Sequence, residues 1–124
     1  MSEVQIIVFL LSLEGLLFVG IGYAMPNMRM SRLVGIRVGP TMADERVWRD
    51  THVRAGPRFR RVGWLILGSG VLLTAVPTPD WLTLGAFTVI AVGSLAWFTV
   101  DSYRYAAARL RHYHAIDEAV GSRE

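Results

Sequence analysis

Residues 81–100 read WLTLGAFTVIAVGSLAWFTV, a run of 20 residues without a charged side chain. At about 1.5 Å per residue, a helix of this length crosses a hydrocarbon core of roughly 30 Å. A second apolar stretch, residues 4–25, holds 22 residues, and its only charge is Glu14. Each of these stretches predicts a transmembrane helix.

A third apolar stretch is shorter than the other two. Residues 62–76 are uncharged but number only 15, so a span over about 59–77 needs the aliphatic stems of Arg60 and Arg61. The stretch ends in VPTPD, residues 76–80, where two prolines favour a tight turn into the run at 81–100. The sequence therefore predicts an all-α membrane protein with three transmembrane helices, the last two forming a hairpin.

Composition supports a membrane protein over a soluble domain. The 124 residues are 52 % hydrophobic and 19 % charged, with a mean hydropathy of +0.37. Cysteine is absent, which excludes a disulfide framework and a thiolate metal site. Glu3 and the lack of arginine or lysine ahead of the first run argue against a cleaved signal peptide. We interpret residues 1–124 as a single membrane domain.

The distribution of arginine predicts the orientation. Nine arginines lie in residues 26–61 against three acids, a formal charge of 9 − 3 = +6, and the other four lie after residue 100. Neither the amino-terminal residues nor the turn at 76–80 contains one. The positive-inside rule then predicts a plasma (inner) membrane protein with its amino terminus outside, a cytoplasmic loop at 26–61 and a cytoplasmic helical tail at 101–124.

The cytoplasmic loop has room for a short interfacial helix. Glycines and prolines, including Gly56 and Pro57, predict turns, and residues 41–55 between them predict a helix that begins near Thr41 and Asp44. Trp48, Thr51 and Ala55 would share one face of it. That pattern favours a helix lying on the membrane surface.

Glu14 is the one charged residue predicted to lie deep in the bilayer. An ionised carboxylate costs several kcal/mol there unless it is paired, hydrated or protonated, so we expect it to face protein. One interpretation is a proton-linked or ligand-contacting acid. The other is a structural acid that is hydrogen-bonded to Ser69, Thr74 or Ser94 of the other spans.

Two further patterns have simple interpretations. Small residues four apart, at Gly20 and Ala24 and at Gly70 and Thr74, predict close helix packing within the chain or in an oligomer. The arginines of the loop are expected to contact anionic lipid head groups rather than nucleic acid.

No cofactor or metal site is predicted. His112 and His114 are two residues apart and point to different sides of a helix. The methionines near residue 28 alternate with arginine and are expected to pack at the interface. No motif of a catalytic nucleophile or of a zinc protease is present.

The loop resembles the signature of the SdpI-like family, which includes the immunity protein against a secreted sporulation-delaying toxin. The residues that carry the resemblance lie within about 24–73 and are Asn27, Gly35, Arg37, Pro40, Thr41, Trp48, His52 and Gly56. The chain departs from the usual pattern at Val38-Gly39-Pro40, where the family has Thr-Pro, and at Val53, where an arginine usually follows the histidine.

The resemblance implies a non-enzymatic protein that confers toxin immunity, signals by sequestering a cytoplasmic partner at the membrane, or does both. Two alternatives remain open from the residues themselves: a small accessory subunit of a larger membrane complex, and a proton-linked transporter protomer that uses Glu14. For the motif residues, one interpretation is a clamp that folds the loop under the helices, and the other is direct contact with a protein partner or lipid.

Overall fold

The computed structural model describes residues 2–30 and 35–122, and these form helices without any strand. The α-helices are α1 (Glu3–Ser12), α2 (Glu14–Ala24), α3 (Gly39–Ala43), α4 (Glu45–Ala75) and α5 (Asp80–Gly121), with a 3₁₀ turn at Met25–Asn27. The stretches Glu3–Asn27 and Asp80–Gly121 are each long and apolar enough to cross a membrane. The all-α prediction is therefore confirmed, with two candidate spans identified by length and hydropathy.

The first two helices form one nearly continuous rod. At the junction the Leu13 amide donates to the Leu10 carbonyl oxygen at 3.2 Å, a tightened turn rather than a bend in the chain direction. The buried Ser12 hydroxyl donates to the Phe9 carbonyl oxygen at 2.6 Å in the same turn. The rod runs alongside α4, which packs against every other helix of the described structure.

Helix α4 runs antiparallel to the first rod and to α5. At one end of the bundle the Ser2 hydroxyl, which caps α1, donates to the Asp80 carboxylate at the start of α5 over 2.8 Å. The amino terminus and the proline turn therefore lie at the same end. The loop, α3 and the start of α4 lie at the other.

A row of glycines brings α4 against the first rod. Gly56, Gly63 and Gly70 are seven residues apart, about two helical turns, and so share one face. They lie opposite Gly22, Gly15 and Ser12 respectively. A Cβ added at Gly56 would lie 2.7 Å from the Gly22 carbonyl oxygen, and the reverse substitution would meet the Gly56 carbonyl oxygen at the same distance.

The predicted small-residue pairs identified this surface only in part. Gly70 is buried against Ser12, as close packing requires, whereas nothing lies within 4 Å of a Cβ built at Gly20. The predicted use of Gly20 for packing within the chain is therefore wrong. The glycines that form the interface are seven residues apart, and those on the first rod are Gly15 and Gly22.

The apolar core is centred on Phe59 of α4. Its ring centroid lies 5.1 Å from that of Phe18 and 4.8 Å from that of Phe98, so this one residue joins the first rod, α4 and α5. The outward surface is also apolar, and includes Leu17, Leu72 and Trp81 among many exposed large side chains. An exterior with so many exposed large apolar side chains fits a lipid environment.

The prediction of a helix break at Gly56 and Pro57 is wrong. Helix α4 passes through both residues, because Gly56 is packed against α2 and its neighbours on either side are packed as well. The Arg58 guanidinium donates to the Arg54 carbonyl oxygen at 3.3 Å, near the turn in which proline removes an amide donor. Tertiary packing overrides the local signal here.

The predicted helix start near Thr41 is also wrong in its details. The helix that carries Trp48 begins at Glu45, and the Asp44 carboxylate caps it by accepting from the Arg46 amide at 2.8 Å. The Asp44 pKa is lowered, first by the hydrogen bond from the Arg46 side chain. Thr41 instead lies in the five-residue α3 and bonds to the loop.

The predicted helical tail is present. Helix α5 continues past residue 100 without a break and packs along the first part of α4. Asp101 pairs with Arg54 at 3.0 Å and with Arg58 at 3.5 Å. Further along, Arg109 pairs with Asp50 at 2.9 Å. These ion pairs define a polar arm made of two helices.

Candidate functional site

The motif residues Trp48 and His52 lie one turn apart on α4 and form the centre of a buried clamp. Their rings stack with centroids 4.1 Å apart, and each side chain is only 1 % exposed. The Trp48 indole donates to the Met28 carbonyl oxygen at 3.1 Å. The clamp therefore holds the chain where it leaves the first rod.

His52 holds the chain where it returns. Its Nε2 accepts from the Ile36 amide at 2.9 Å, and its Nδ1 lies 2.7 Å from the Trp48 carbonyl oxygen. Because Nε2 accepts, the proton must be on Nδ1, and the ring is the neutral tautomer that donates to Trp48. Burial lowers the His52 pKa, which agrees with this assignment.

Gly35 is required by the clamp. Its φ of +108° is disfavoured for residues with a Cβ. A Cβ built there would lie 2.7 Å from His52 Nε2 and 2.8 Å from the Trp48 ring. Glycine thus allows both the backbone turn and the close approach to the two rings.

Thr41 completes the clamp from α3. Its hydroxyl donates to the Ile36 carbonyl oxygen at 2.6 Å and accepts from the Val38 amide at 3.1 Å. The side chain is fully buried. Ile36 is thus fixed through its amide by His52 and through its carbonyl by Thr41. Residues 31–34 lie outside the described residues.

The clamp corrects one prediction about the loop. Trp48, Thr51 and Ala55 do share a helix face, but that face is buried inside the protein and does not lie on the membrane surface. Periodicity alone could not distinguish the two environments, because a helix buries the same face against lipid or against its own chain.

The motif divides into buried and exposed members. Gly35 and Gly56 allow close backbone approach, and Thr41, Trp48 and His52 form the clamp. Pro40 is half-buried, while Asn27 and Arg37 are exposed. The structure brings the motif together at one end of the bundle, and the exposed pair is available for contact.

Other exposed arginines lie nearby. Arg29 and Arg49 line a groove of about 190 Å³ together with Asn27 and Glu45. Arg60 is used internally, because its guanidinium lies 4.3 Å from the centre of the Tyr23 ring. The described residues contain no cluster of three metal-ligating side chains.

Glu14 is not part of this site. Within its own chain Glu14 does not face protein, since its side chain is exposed and has no hydrogen-bond partner among the described residues. The predicted partners bond elsewhere: the Ser69, Thr74 and Ser94 hydroxyls donate to carbonyl oxygens of their own helices.

Sequence reasoning missed the contacts that involve backbone atoms. The carbonyl oxygen of Met28 and the amide of Ile36 hold the loop, and neither is identifiable from residue type. The positions of Gly15 and Gly22 opposite α4 were also missed, although the repeat of seven in Gly56, Gly63 and Gly70 was a usable signal.

Comparison with known proteins gives a match to a protein family. No curated protein and no solved structure is significantly similar to the chain. The model of the SdpI/YfhL protein family matches residues 27–98, which is more than half of the chain and includes the whole clamp. The resemblance seen in the loop is thereby confirmed, and the chain belongs to the SdpI/YfhL protein family.

Proposed function

We propose that the chain spans the plasma membrane three times, with its amino terminus outside. The support for a third span is the register of the glycine contacts, in which residues 63–70 of α4 lie beside residues 12–19 of the first rod. If the first rod crosses the hydrocarbon core, the part of α4 at the same depth crosses it too. Trp64 and Leu65, exposed on that part of α4, favour the same conclusion.

The arginines support the orientation. Arg60 and Arg61 lie just before the apolar half of α4, and the clamp and the polar arm lie beyond them on one side. Reporter fusions at the two termini test this. An amino terminus in the cytoplasm would contradict it.

For the function itself, we infer a non-enzymatic role in toxin immunity, with signalling through a cytoplasmic partner. One observation carries the proposal: four motif residues, Gly35, Thr41, Trp48 and His52, are used to fix the loop, and this leaves Arg37 and Asn27 exposed at its surface. A loop held this firmly presents its exposed side chains in a constant geometry, which reduces the entropy lost on binding.

Anionic lipid head groups are a further contact of the same surface. Arg29, Arg37 and Arg49 are exposed at the end of the bundle where the arginines gather. Each arginine close to an anionic membrane surface contributes about 1 kcal/mol of attraction. Contacts of Arg29 and Arg49 with the head groups would hold the loop at the membrane surface and leave Arg37 for a partner in the cytoplasm.

The test is survival of a toxin-sensitive cell exposed to the secreted sporulation-delaying toxin. The intact chain is expected to raise survival, and Arg37→Ala to remove most of that protection while the membrane level of the protein is unchanged. Arg111→Ala is the matched control, because Arg111 is also exposed but lies outside the motif. An unaltered killing curve with the intact chain would remove the immunity proposal.

A further inference from the structure

Glu14 lies in a face of the first rod that no other part of the described chain covers. The face follows a heptad spacing of alternating three and four residues. Leu10 and Leu17 within it are 58 % and 61 % exposed. Its exposed members are Ile7, Leu10, Glu14, Leu17 and Ala24, while Ile21, at the same spacing, is partly buried against the core.

The position of Glu14 makes this face unfavourable in lipid. It is the twelfth residue after Ser2, about 18 Å along the helix and so near the middle of a core of roughly 30 Å. A carboxyl group at that depth is costly without a hydrogen-bonding partner, and the described residues offer none. An outward acid in an otherwise apolar face therefore points to contact with another helix.

We propose that the partner is a second copy of this chain, packed through the first rod in parallel and in register. All copies enter the membrane in the same orientation, so in a twofold pair a residue at such a heptad position faces its own counterpart at the same depth. The protonated carboxyl groups of the two Glu14 residues then hydrogen-bond to each other, the hydroxyl of each donating to the carbonyl oxygen of the other.

Self-complementarity favours a second copy over a different partner. A protonated carboxyl supplies both a donor and an acceptor, so two copies satisfy each other, and residues 62–100 contain no basic side chain that could serve instead within a copy. The two ends of this face of the first rod, Ile7 and Ala24, would extend the contact on either side. The inference rests on the proposed membrane insertion of the first rod.

The absence of cysteine allows a direct test. Leu17→Cys places the only thiol of the chain in the proposed interface, and Leu16→Cys places it at the same depth on another exposed side of the helix. After mild oxidation of membranes, the Leu17→Cys protein is expected to run as a disulfide-linked dimer. The Leu16→Cys protein is expected to remain monomeric.

The contribution of the acid is tested in the Leu17→Cys background. Glu14→Leu is expected to lower the cross-linked fraction roughly three- to tenfold, the range for interhelical hydrogen bonds in membranes. Glu14→Gln keeps a donor and an acceptor and is expected to retain cross-linking. Equal cross-linking at positions 16 and 17, or no effect of Glu14→Leu, would overturn the proposal.

Two further outcomes distinguish the dimer from the proposed function. Protein in the membrane fraction that gives no dimer, or an adduct of a different mass, would overturn the second copy as partner and leave the three-span proposal intact. Protein absent from the membrane fraction would overturn both. Survival in the toxin assay is measured separately on the same variants.

Discussion

The two halves of α4 make different kinds of contact. From Gly56 to Gly70 the helix meets the first rod through glycine backbone, with apolar side chains on either side. From Arg46 to Arg58 it meets α5 through arginine bonds to aspartate, and Arg46 and Arg54 also lie over tyrosine rings at 4.3 Å. One continuous helix therefore carries two interfaces.

The difference follows from the solvent expected at each half. In lipid the hydrophobic effect between helices is lost, so helices associate by close contact and small residues are favoured. In water an arginine can pair at the surface, although each exposed pair contributes little. The first interface should consequently be sensitive to volume and the second to salt.

The largest effect is expected from Gly63→Leu. A Cβ at this position would lie 2.8 Å from the Val19 amide nitrogen, so the backbones must separate, at a cost of roughly 1–3 kcal/mol or more. We expect a large fall in melting temperature in mild detergent. Gly68→Leu on the same helix is the control, since nothing lies within 4 Å of its Cβ. Equal melting of the two variants would contradict the glycine interface.

A smaller effect is expected on acidification. Burial lowers the His52 pKa, so the unfolded chain binds a proton at a higher pH than the folded one. The contribution of His52 to the free energy of unfolding should be fully present above the ordinary histidine pKa of about 6.5. It should fall as the pH drops below that value, because a proton on Nε2 displaces the Ile36 amide. The loss should be about that of one hydrogen bond, roughly 1 kcal/mol.

Melting temperatures between pH 7.5 and 5.5 measure this loss. His52→Gln should remove most of the pH dependence of the melting temperature. The exposed His112 and His114 are unchanged in this variant, so any pH dependence that remains includes their contribution. Asp44 does not contribute in this range, because the hydrogen bond from Arg46 lowers its pKa from an ordinary value that is already well below pH 5.5. A pH dependence that is unchanged in His52→Gln would exclude the clamp as its source.

The smallest effect is expected from Asp101→Asn. The side chains of Asp101 and Arg54 are 25 % and 28 % exposed, so their pairing is partly screened by solvent. We expect a destabilisation under about 1 kcal/mol at low salt that shrinks further at high salt. The melting curve of Gly63→Leu should show no such salt dependence, and a similar response of both variants would erase the distinction between the halves.

Much of the fold could be predicted from apolar run lengths and from charge. The helices around residues 4–25 and 81–100 and the tail beyond them follow from local composition. The continuity of α4 through Pro57 could not be predicted in this way, because packing on both sides of Gly56 overrides the proline signal. The burial of Trp48 inside the protein could not be predicted either, since an apolar helix face can be buried against lipid or against protein.

The candidate site was predictable by residue type but not by role. The motif identified His52 and Gly35, yet their relation depends on a backbone amide at Ile36 that carries no signal in the sequence. Glu14 was recognised as exceptional, while its outward direction required the position of α4.

The glycine row of α4 also affects how the protein assembles in the membrane. Glycine has almost no apolar side-chain surface to transfer from water to lipid, so Gly63 and Gly70 weaken the preference of α4 for the hydrocarbon core. Helix α4, which has the most extensive contacts in the bundle, is thus the helix whose hydropathy least favours its insertion into the membrane on its own. Its insertion should depend on the first rod being present, which makes the order of synthesis, first rod before α4, the order in which the bundle can form.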